Sequence, residues 1–438
     1  MCPIVGGNWN NSTNAGVWTV NCNNSRTNSN NNIGVRADSA SPKSASCRLV
    51  PRETFSCFKR NRFKPVFLVA QAKVRRVLFL RIVMKRIGNL YESVVSAESL
   101  WDGYLGAKKS KGGRRGCFQF EKSLGRELNE LQEELANNSY KPRPYFRFVV
   151  YEPKKREIYA PAFRDCVVQY AIYLRVMPIF DKTFIDQSFA CRTGLGTHKA
   201  AEYAQDALRR AGPNTYTLQL DIKKFFYSID RPTLRKLLER KIKDKRLVDL
   251  MMLFADYPEP KGIPIGNLLS QMFALIYMNP VDHYATRVLK PAAGYCRYVD
   301  DFLLFGLTRA QALKYRELLT DFVENELKLT LSRSTIANTK KGVNFCGYRT
   351  WRSGRFIRKH SLYKTRKAVR TNKLESVISH LAHASKTHSL QHLLNYTEQQ
   401  NHGLYCELPK IYHQRHHQAV GRSGGISGVM YNRWGDVC

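Results

Sequence analysis

Two adjacent carboxylates, Asp300 and Asp301, interrupt an otherwise apolar stretch. Gly294-Tyr295-Cys296-Arg297-Tyr298-Val299 precedes them and Phe302-Leu303-Leu304-Phe305 follows. Apolar and aromatic runs on both sides of a two-residue polar break predict a tight β-hairpin with the carboxylates at its tip. Paired carboxylates are hard oxygen ligands of the kind that hold Mg²⁺ together with substrate phosphates. An isolated Asp-Asp is ordinarily a solvated turn, so its meaning depends on what lies upstream.

Upstream, Tyr216-Thr217-Leu218-Gln219-Leu220-Asp221-Ile222 alternates as a strand and delivers Asp221 near its end. Between the two blocks, Lys261-Gly262-Ile263-Pro264-Ile265-Gly266-Asn267-Leu268-Leu269-Ser270-Gln271 is a Gly/Pro loop running into an apolar helix, Met272 to Met278. Two-metal nucleotidyl transfer needs a carboxylate bridge between ions roughly 3.5–4 Å apart. One Asp from a strand and a pair from a neighbouring hairpin supply it. The three blocks, in this order, resemble the palm motifs of reverse transcriptases. The resemblance implies an α+β right-hand polymerase: fingers, a palm of antiparallel sheet plus helices, and a short helical thumb. It implies Asp221, Asp300 and Asp301 as catalytic carboxylates holding two Mg²⁺ ions (or Mn²⁺), with Ile222 also at the metal site. The primer 3′-hydroxyl would attack the α-phosphate of a dNTP.

Charge agrees with that expectation. The chain has 438 residues and a formal net charge of +36. Self-repulsion on that scale makes a polyanion, nucleic acid, the leading partner. Eleven cysteines occur without any C-x-x-C spacing, which predicts reduced thiols in a cytoplasmic protein. The apolar runs 65–70 and 77–84 are short and flanked or broken by Lys73, Arg75, Arg76 and Arg81, so no membrane span is indicated.

Residues 1–83 differ from the rest. Eleven of the first 32 residues are Asn, a composition too poor in apolar side chains to order itself. The stretch also resembles the translated template repeat of diversity-generating retroelements, in which randomised adenines alter Asn codons. On that resemblance translation starts at Met84. From there the expected divisions are fingers at 84–215, palm with an interleaved fingers segment at 216–357, thumb at 358–412 and a flexible tail at 413–438.

Within the fingers, helix is expected from Ser96 to about Leu105, then a flexible basic link over Lys108–Gly116. Phe120, Leu124, Leu128, Leu131 and Leu135 have amphipathic-helix spacing, ended by Asn137-Asn138. A hairpin is expected from Tyr145–Val150 and Glu157–Ala160 around Glu152-Pro153-Lys154-Lys155-Arg156, and Pro161 to Gln169 is expected to start a helix. This block resembles the family's first fingers motif, which implies that Arg156, then Lys155 and Arg164, grip the incoming triphosphate. Ser188–His198 resembles the second motif, implying that Arg192 contacts a template phosphate. A solvated charged turn is the plain alternative for each.

In the palm, Phe226 stands where the family keeps an aromatic against a ribose 2′-hydroxyl; a core aromatic is the alternative. Asp230 is expected to cap a helix with Leu234, Leu237, Leu238 and Ile242 inward. The dNTP site would further involve Ile265, Gly266 and Gln271. Most reverse transcriptases have Gln-Gly, three residues, then Ser-Pro; here Ile265 and Gln271 replace the Gln and the Pro, as in the diversity-generating subfamily. Leu269 and Leu275 depart from that subfamily's Thr and Asn. Thr308 and Gln311 form a capping-box pattern before a helix with Leu313, Leu318, Phe322 and Leu327. Arg333 is the nearest basic residue to a family Lys that serves pyrophosphate. Gly347 lies in a segment resembling the primer grip. Tyr298, Gly347 and the helix residues Lys364, Arg366, Lys367 and Arg370 are expected to hold template–primer duplex through phosphates and shape.

The resemblance implies template RNA, primer and cDNA, dNTPs and a small basic helical accessory oligomer as partners, in a bacterial or phage setting. The readings left open are an error-prone enzyme mutating at adenines, a retron or group II intron-type enzyme of ordinary fidelity, and a catalytically silent RNA-binding scaffold.

Overall fold

The computed structural model describes residues 85–151 and 155–422. The Asn-rich opening, the Met84 start, the Glu152-Pro153-Lys154 tip and residues 423–438 lie outside the described residues.

Helices Leu90–Val95, Ala97–Lys111, Arg115–Lys122 and Leu124–Ala136 open the fold. The helix expected to stop near Leu105 continues through Lys108–Lys111, part of the segment expected to be a flexible link. Buried Tyr104 and Ala107 keep its core face going, and Lys108 pairs with Glu121 at 2.6 Å. The predicted single helix through Phe120 and Leu135 is two helices meeting at Ser123. Strands β1 (Phe146–Val150) and β2 (Arg156–Ala160) pair antiparallel, Val150 opposite Arg156. Helix Phe163–Asp181 follows, with twelve buried residues at the centre of the fingers core.

The palm is a four-stranded antiparallel sheet of order β4-β5-β3-β6, with β3 at Tyr216–Ile222, β4 at Gly294–Tyr298, β5 at Asp301–Leu307 and β6 at Leu331–Asn338. Its period-2 alternation feeds two cores. Leu218, Leu220, Tyr295, Phe302 and Leu304 pack into the larger core, with the fingers helices and helix Leu268–His283. Cys296, Leu303 and Phe305 face a second core, shared with helix Thr197–Ala211 and the C-terminal helices. Helix Leu268–His283 is apolar nearly all round because it is buried nearly all round. Asn267 caps it, its side chain accepting from Ser270 N, and Ser270 Oγ donates back to Pro264 O at 2.6 Å.

Asp230 caps helix Arg231–Glu239 through Thr233 N at 3.0 Å, and Leu234, Leu237, Leu238 and Ile242 are buried. The Thr308–Gln311 capping box is complete. Its helix, Arg309–Glu326, buries Ala312, Leu319, Phe322 and Val323 while Leu313 is exposed, so the inward stripe lies one residue off the expected one at its start. A small sheet of β7 (Val343–Phe345), β8 (Tyr348–Thr350) and β9 (Arg355–Ile357) leads to helices Lys359–Arg370, Leu374–Ala384, Ser389–Gln400, His402–Cys406 and Lys410–Arg422. The last helix occupies residues expected in a flexible tail. His416 anchors it: buried, it meets Tyr405 Oη at 2.7 Å and Asn395 Oδ1 at 2.5 Å. Among the described residues, six cysteines carry free thiols, and no helix is long and apolar enough to cross a membrane.

Candidate active site

Strand register brings the carboxylates together. Asp221 on β3 is the cross-strand partner of Asp301 on β5, and Tyr298 on β4 lies opposite Asp301 on its other side. The turn is Val299-Asp300, so Asp300 sits at its tip and Asp301 is the first residue of β5, one step further in than expected. Ile222 N donates to Asp300 O at 3.3 Å, tying the turn to the end of β3. Ser332 Oγ donates to Asp221 Oδ2 at 2.8 Å. Gln219 Nε2 donates to both Asp301 oxygens, at 2.9 and 3.1 Å, and to Asn344 O at 3.0 Å.

The proton affinities of Asp300 and Asp301 are both raised. Burial, then the Asp221 charge, pushes Asp300 up to about 7, against Arg156 and Arg297. Burial, with Asp221 and Asp300, pushes Asp301 up to about 8, against the Gln219 hydrogen bond and Arg333. Like-charge crowding of hard oxygen donors fits divalent cations. Among the described residues no three His, Cys, Asp or Glu side chains close on a single ion position. Mg²⁺ sites completed by substrate phosphates and water use only one or two carboxylates.

A pH dependence follows. Both folded-state values lie above the unfolded carboxylate value of about 4, so these groups favour the fold fully below that pH. Their contribution is lost as pH rises through about 7 and about 8. With divalent ions chelated, the melting temperature is expected to fall across this window. Added Mg²⁺ should raise it more at the alkaline end. Melts that show no such pH-dependent Mg²⁺ effect would contradict the assignment.

The positive charge of Arg156 is near enough to Asp300 to oppose the rise in its proton affinity. Lys155 is exposed beside it. Arg164 departs from expectation: it is buried, pairs with Glu134 at 2.6 Å and lies over the Tyr140 ring, so its guanidinium organises the fingers core. Arg192 likewise turns inward, to Asp181 at 2.7 Å and the carbonyls of Ile185 and Ser188. A basic residue's type gives no warning of an acidic partner distant in sequence. Phe226 is half-buried against Phe225, at a ring separation of 5.4 Å.

Ile265 is buried and its carbonyl accepts from Tyr159 N at 2.7 Å, fastening the loop to β2. Gly266 has φ 121°, and a Cβ there would stand 2.8 Å from Ile158 Cγ2 and 3.0 Å from Tyr159 O. Only glycine lets the loop pass this close. Gln271 is half-buried in the first turn of the following helix.

Gly347 forms, with Cys346, the turn between β7 and β8. On helix Lys359–Arg370, Lys367 and Arg370 are exposed while Lys364 is half-buried. Arg366 departs from a free phosphate ligand: it lies over Tyr396 at 5.3 Å and meets His392 at 3.1 Å. On β1, Phe146 and Phe148 are exposed with ring centroids 6.0 Å apart, on the sheet face that also carries Arg156.

Four residues near the carboxylates escaped sequence reasoning. Gln219 had a readable signal, a polar residue two before Asp221 on the same strand face. Arg358, the N-cap of the helix Lys359–Arg370, interacts electrostatically with Asp301. Arg297 and Asp282 are wholly buried.

An aspartate on a central strand and two more at a neighbouring hairpin are the arrangement expected for two-metal nucleotidyl transfer. Comparison with known proteins specifies it: residues 152–350 match the profile of the reverse transcriptase (RNA-dependent DNA polymerase) family. The match to a reverse transcriptase domain is therefore carried by residues 152–350, and the α+β architecture with an antiparallel central sheet expected from the sequence is the one observed. Protein YkfC of Escherichia coli (strain K12) is 29% identical over 298 residues, 57% of this chain and 76% of YkfC. Group II intron-encoded protein LtrA of Lactococcus lactis subsp. cremoris is 24% identical over 314 residues, 54% of this chain and 52% of LtrA. This chain thus spans about half the length of LtrA. A solved structure of Candida albicans telomerase, in complex with a TWJ fragment of telomeric RNA, aligns at 12% identity and a TM-score of 0.43. The alignment covers 64% of this chain and 58% of that one.

Proposed function

We propose that this protein is an RNA-directed DNA polymerase that copies a template RNA into cDNA with reduced fidelity. The observation that carries the polymerase reading is the Asp221–Asp301 register with Asp300 at the adjoining tip. Residues 84–215 act as fingers, 216–357 as palm and 358–422 as thumb, the last extended by helix Lys410–Arg422. Asp221, Asp300, Asp301 and the backbone at Ile222 would hold two divalent ions, Mg²⁺ or Mn²⁺. Such ions lower the pKa of a bound hydroxyl and neutralise charge developing on phosphate oxygens. Arg156 and Lys155 orient the triphosphate by fixed positive charge. Exposed Lys367 and Arg370 hold the duplex backbone. Phe146 and Phe148, interleaved with Arg147, offer stacking surface to unpaired template bases.

Reduced fidelity rests on Ile265. An amide at this position can hydrogen-bond near the nascent pair, whereas an isoleucine cannot, and a site built to hydrogen-bond its substrate discriminates far more strongly. The Asn-rich opening supports a cassette whose own RNA is the template, with mutation at adenines for diversification of a target protein and a basic helical accessory protein as partner. Ile265→Gln is expected to lower misincorporation opposite template adenine by about tenfold; sequencing of cDNA from both enzymes measures it, and equal error rates would remove this reading. Copying at ordinary fidelity, as a group II intron-type enzyme, is the second reading, favoured by the similarity to LtrA. Faithful wild-type cDNA would select it.

A further inference from the structure

The pair Arg297–Asp282 has no role so far, and it is costly to keep. Both residues are 0% exposed. Removing two charges from water takes back much of what their attraction returns, so a buried ion pair is weak grounds for stability. Its connections point elsewhere. Arg297 Nε and Nη2 donate to Asp282 Oδ1 and Oδ2, both at 2.6 Å, a bidentate fork. Nη2 also donates to Ser188 Oγ at 2.9 Å, and Tyr295 Oη donates to Asp282 Oδ1 at 2.7 Å. The remaining arm, Nη1, donates to Val299 O at 2.8 Å.

Val299 is the residue before Asp300, and its φ is 57°. A β-branched residue in the left-handed region is a genuine outlier that persists only where its surroundings hold it. Glycine is the ordinary occupant of such a hairpin position. Something must hold the turn in this conformation. The Asp300 carbonyl is tied to Ile222 N on one side, and the Arg297 arm grips the preceding carbonyl on the other. Arg297 lies opposite Phe302 in register, so it projects to the sheet face away from Asp221 and Asp301. Its own backbone is pinned too, N to Gln187 O and O to Phe189 N, both at 3.0 Å.

We propose that Arg297, aimed by Asp282 and Ser188, is the positioning residue of the active site: it fixes the strained Val299 turn and so the direction of the Asp300 carboxylate. It touches no substrate. The proposal deepens the polymerase reading of this site and rests on it.

The test removes both charges together, Arg297→Met with Asp282→Leu, since losing one alone strands the other in the core. The full chain is assayed for primer extension on RNA. The KM for dNTP is expected within about threefold of wild type while kcat falls by about 100-fold, the scale of a small misplacement of catalytic groups. Adding Val299→Gly, which adopts the turn without strain, should recover about tenfold of that loss. A purely structural role predicts no such recovery. Amide exchange over residues 299–301 should quicken in the double variant and slow again with Val299→Gly. A folded double variant with wild-type kcat, or a loss that Val299→Gly leaves untouched, overturns the proposal. If the double variant does not fold, Arg297→Lys keeps the charge but lacks the planar fork; wild-type kcat and exchange in that folded variant overturn it equally. If the wild type extends no primer, the polymerase reading fails, and the exchange comparison alone decides whether Arg297 holds the turn.

Discussion

Asp301→Asn is expected to reduce kcat for primer extension by about 10⁴-fold or more while leaving RNA–primer binding intact. Asp301 is the carboxylate that faces Asp221 across the β3–β5 ladder. Asparagine matches its shape and removes its charge. The amide oxygen can still accept from Gln219 Nε2, so the hydrogen bond joining β3, β5 and the Asn344 carbonyl has a replacement. The fold should gain, because the site loses one of three crowded charges. At alkaline pH without divalent ions, the variant should melt about 1–2 °C above wild type, the shift of a change of about 1–2 kcal/mol in a chain this size. Single-turnover extension, binding anisotropy and melting curves read the three expectations separately. A variant that extends primer at the wild-type rate would remove Asp301 from the chemistry.

Gly262→Ala is expected to destabilise the protein by about 2–4 kcal/mol and to impair dNTP use in whatever fraction folds. Gly262 has φ 99°, where an L side chain is strained, and a Cβ would meet Tyr227 O, Cα and C at 2.9, 3.0 and 3.1 Å. Those neighbours are backbone and cannot swing aside. The glycine amide donates to Ile229 O and the next amide, of Ile263, to Phe226 O, both at 2.8 Å, so the loop cannot retreat without losing both bonds. Phe226 and Ile265 are fastened to the two ends of this loop. Moving it would shift both residues proposed to line the dNTP site, raising KM as well as lowering stability. A variant with unchanged melting temperature and KM would show that the loop relaxes freely.

The sequence made some of this legible because the signals were local. The apolar flanks of Asp300-Asp301 specify a hairpin, the alternation through Tyr216–Ile222 a strand, and Asp230 and Thr308 helix starts; each depends on residues within a few positions. Strand order is not local. Nothing near Asp221 states that it will lie opposite Asp301 and beside Arg333. The arginines show the same limit. Arg156, Arg164 and Arg192 look alike in sequence, yet Glu134 and Asp181 draw two of them inward. Arg297 was hidden differently, inside an apolar run where charge is unexpected, and only Asp282 on a distant helix explains it. The helix at Lys410–Arg422 was missed because its anchor, His416 against Tyr405 and Asn395, is tertiary.

One measurement tests the central claim most directly. The full chain is incubated with an RNA template, an annealed DNA primer, dNTPs and Mg²⁺ or Mn²⁺, beside an Asp300→Asn control and a chelated control, and the products are resolved and sequenced. The account predicts divalent-dependent cDNA from the wild type and none from either control. RNA binding without cDNA under every divalent condition would contradict it, leaving a nucleic-acid-binding scaffold built on a polymerase fold.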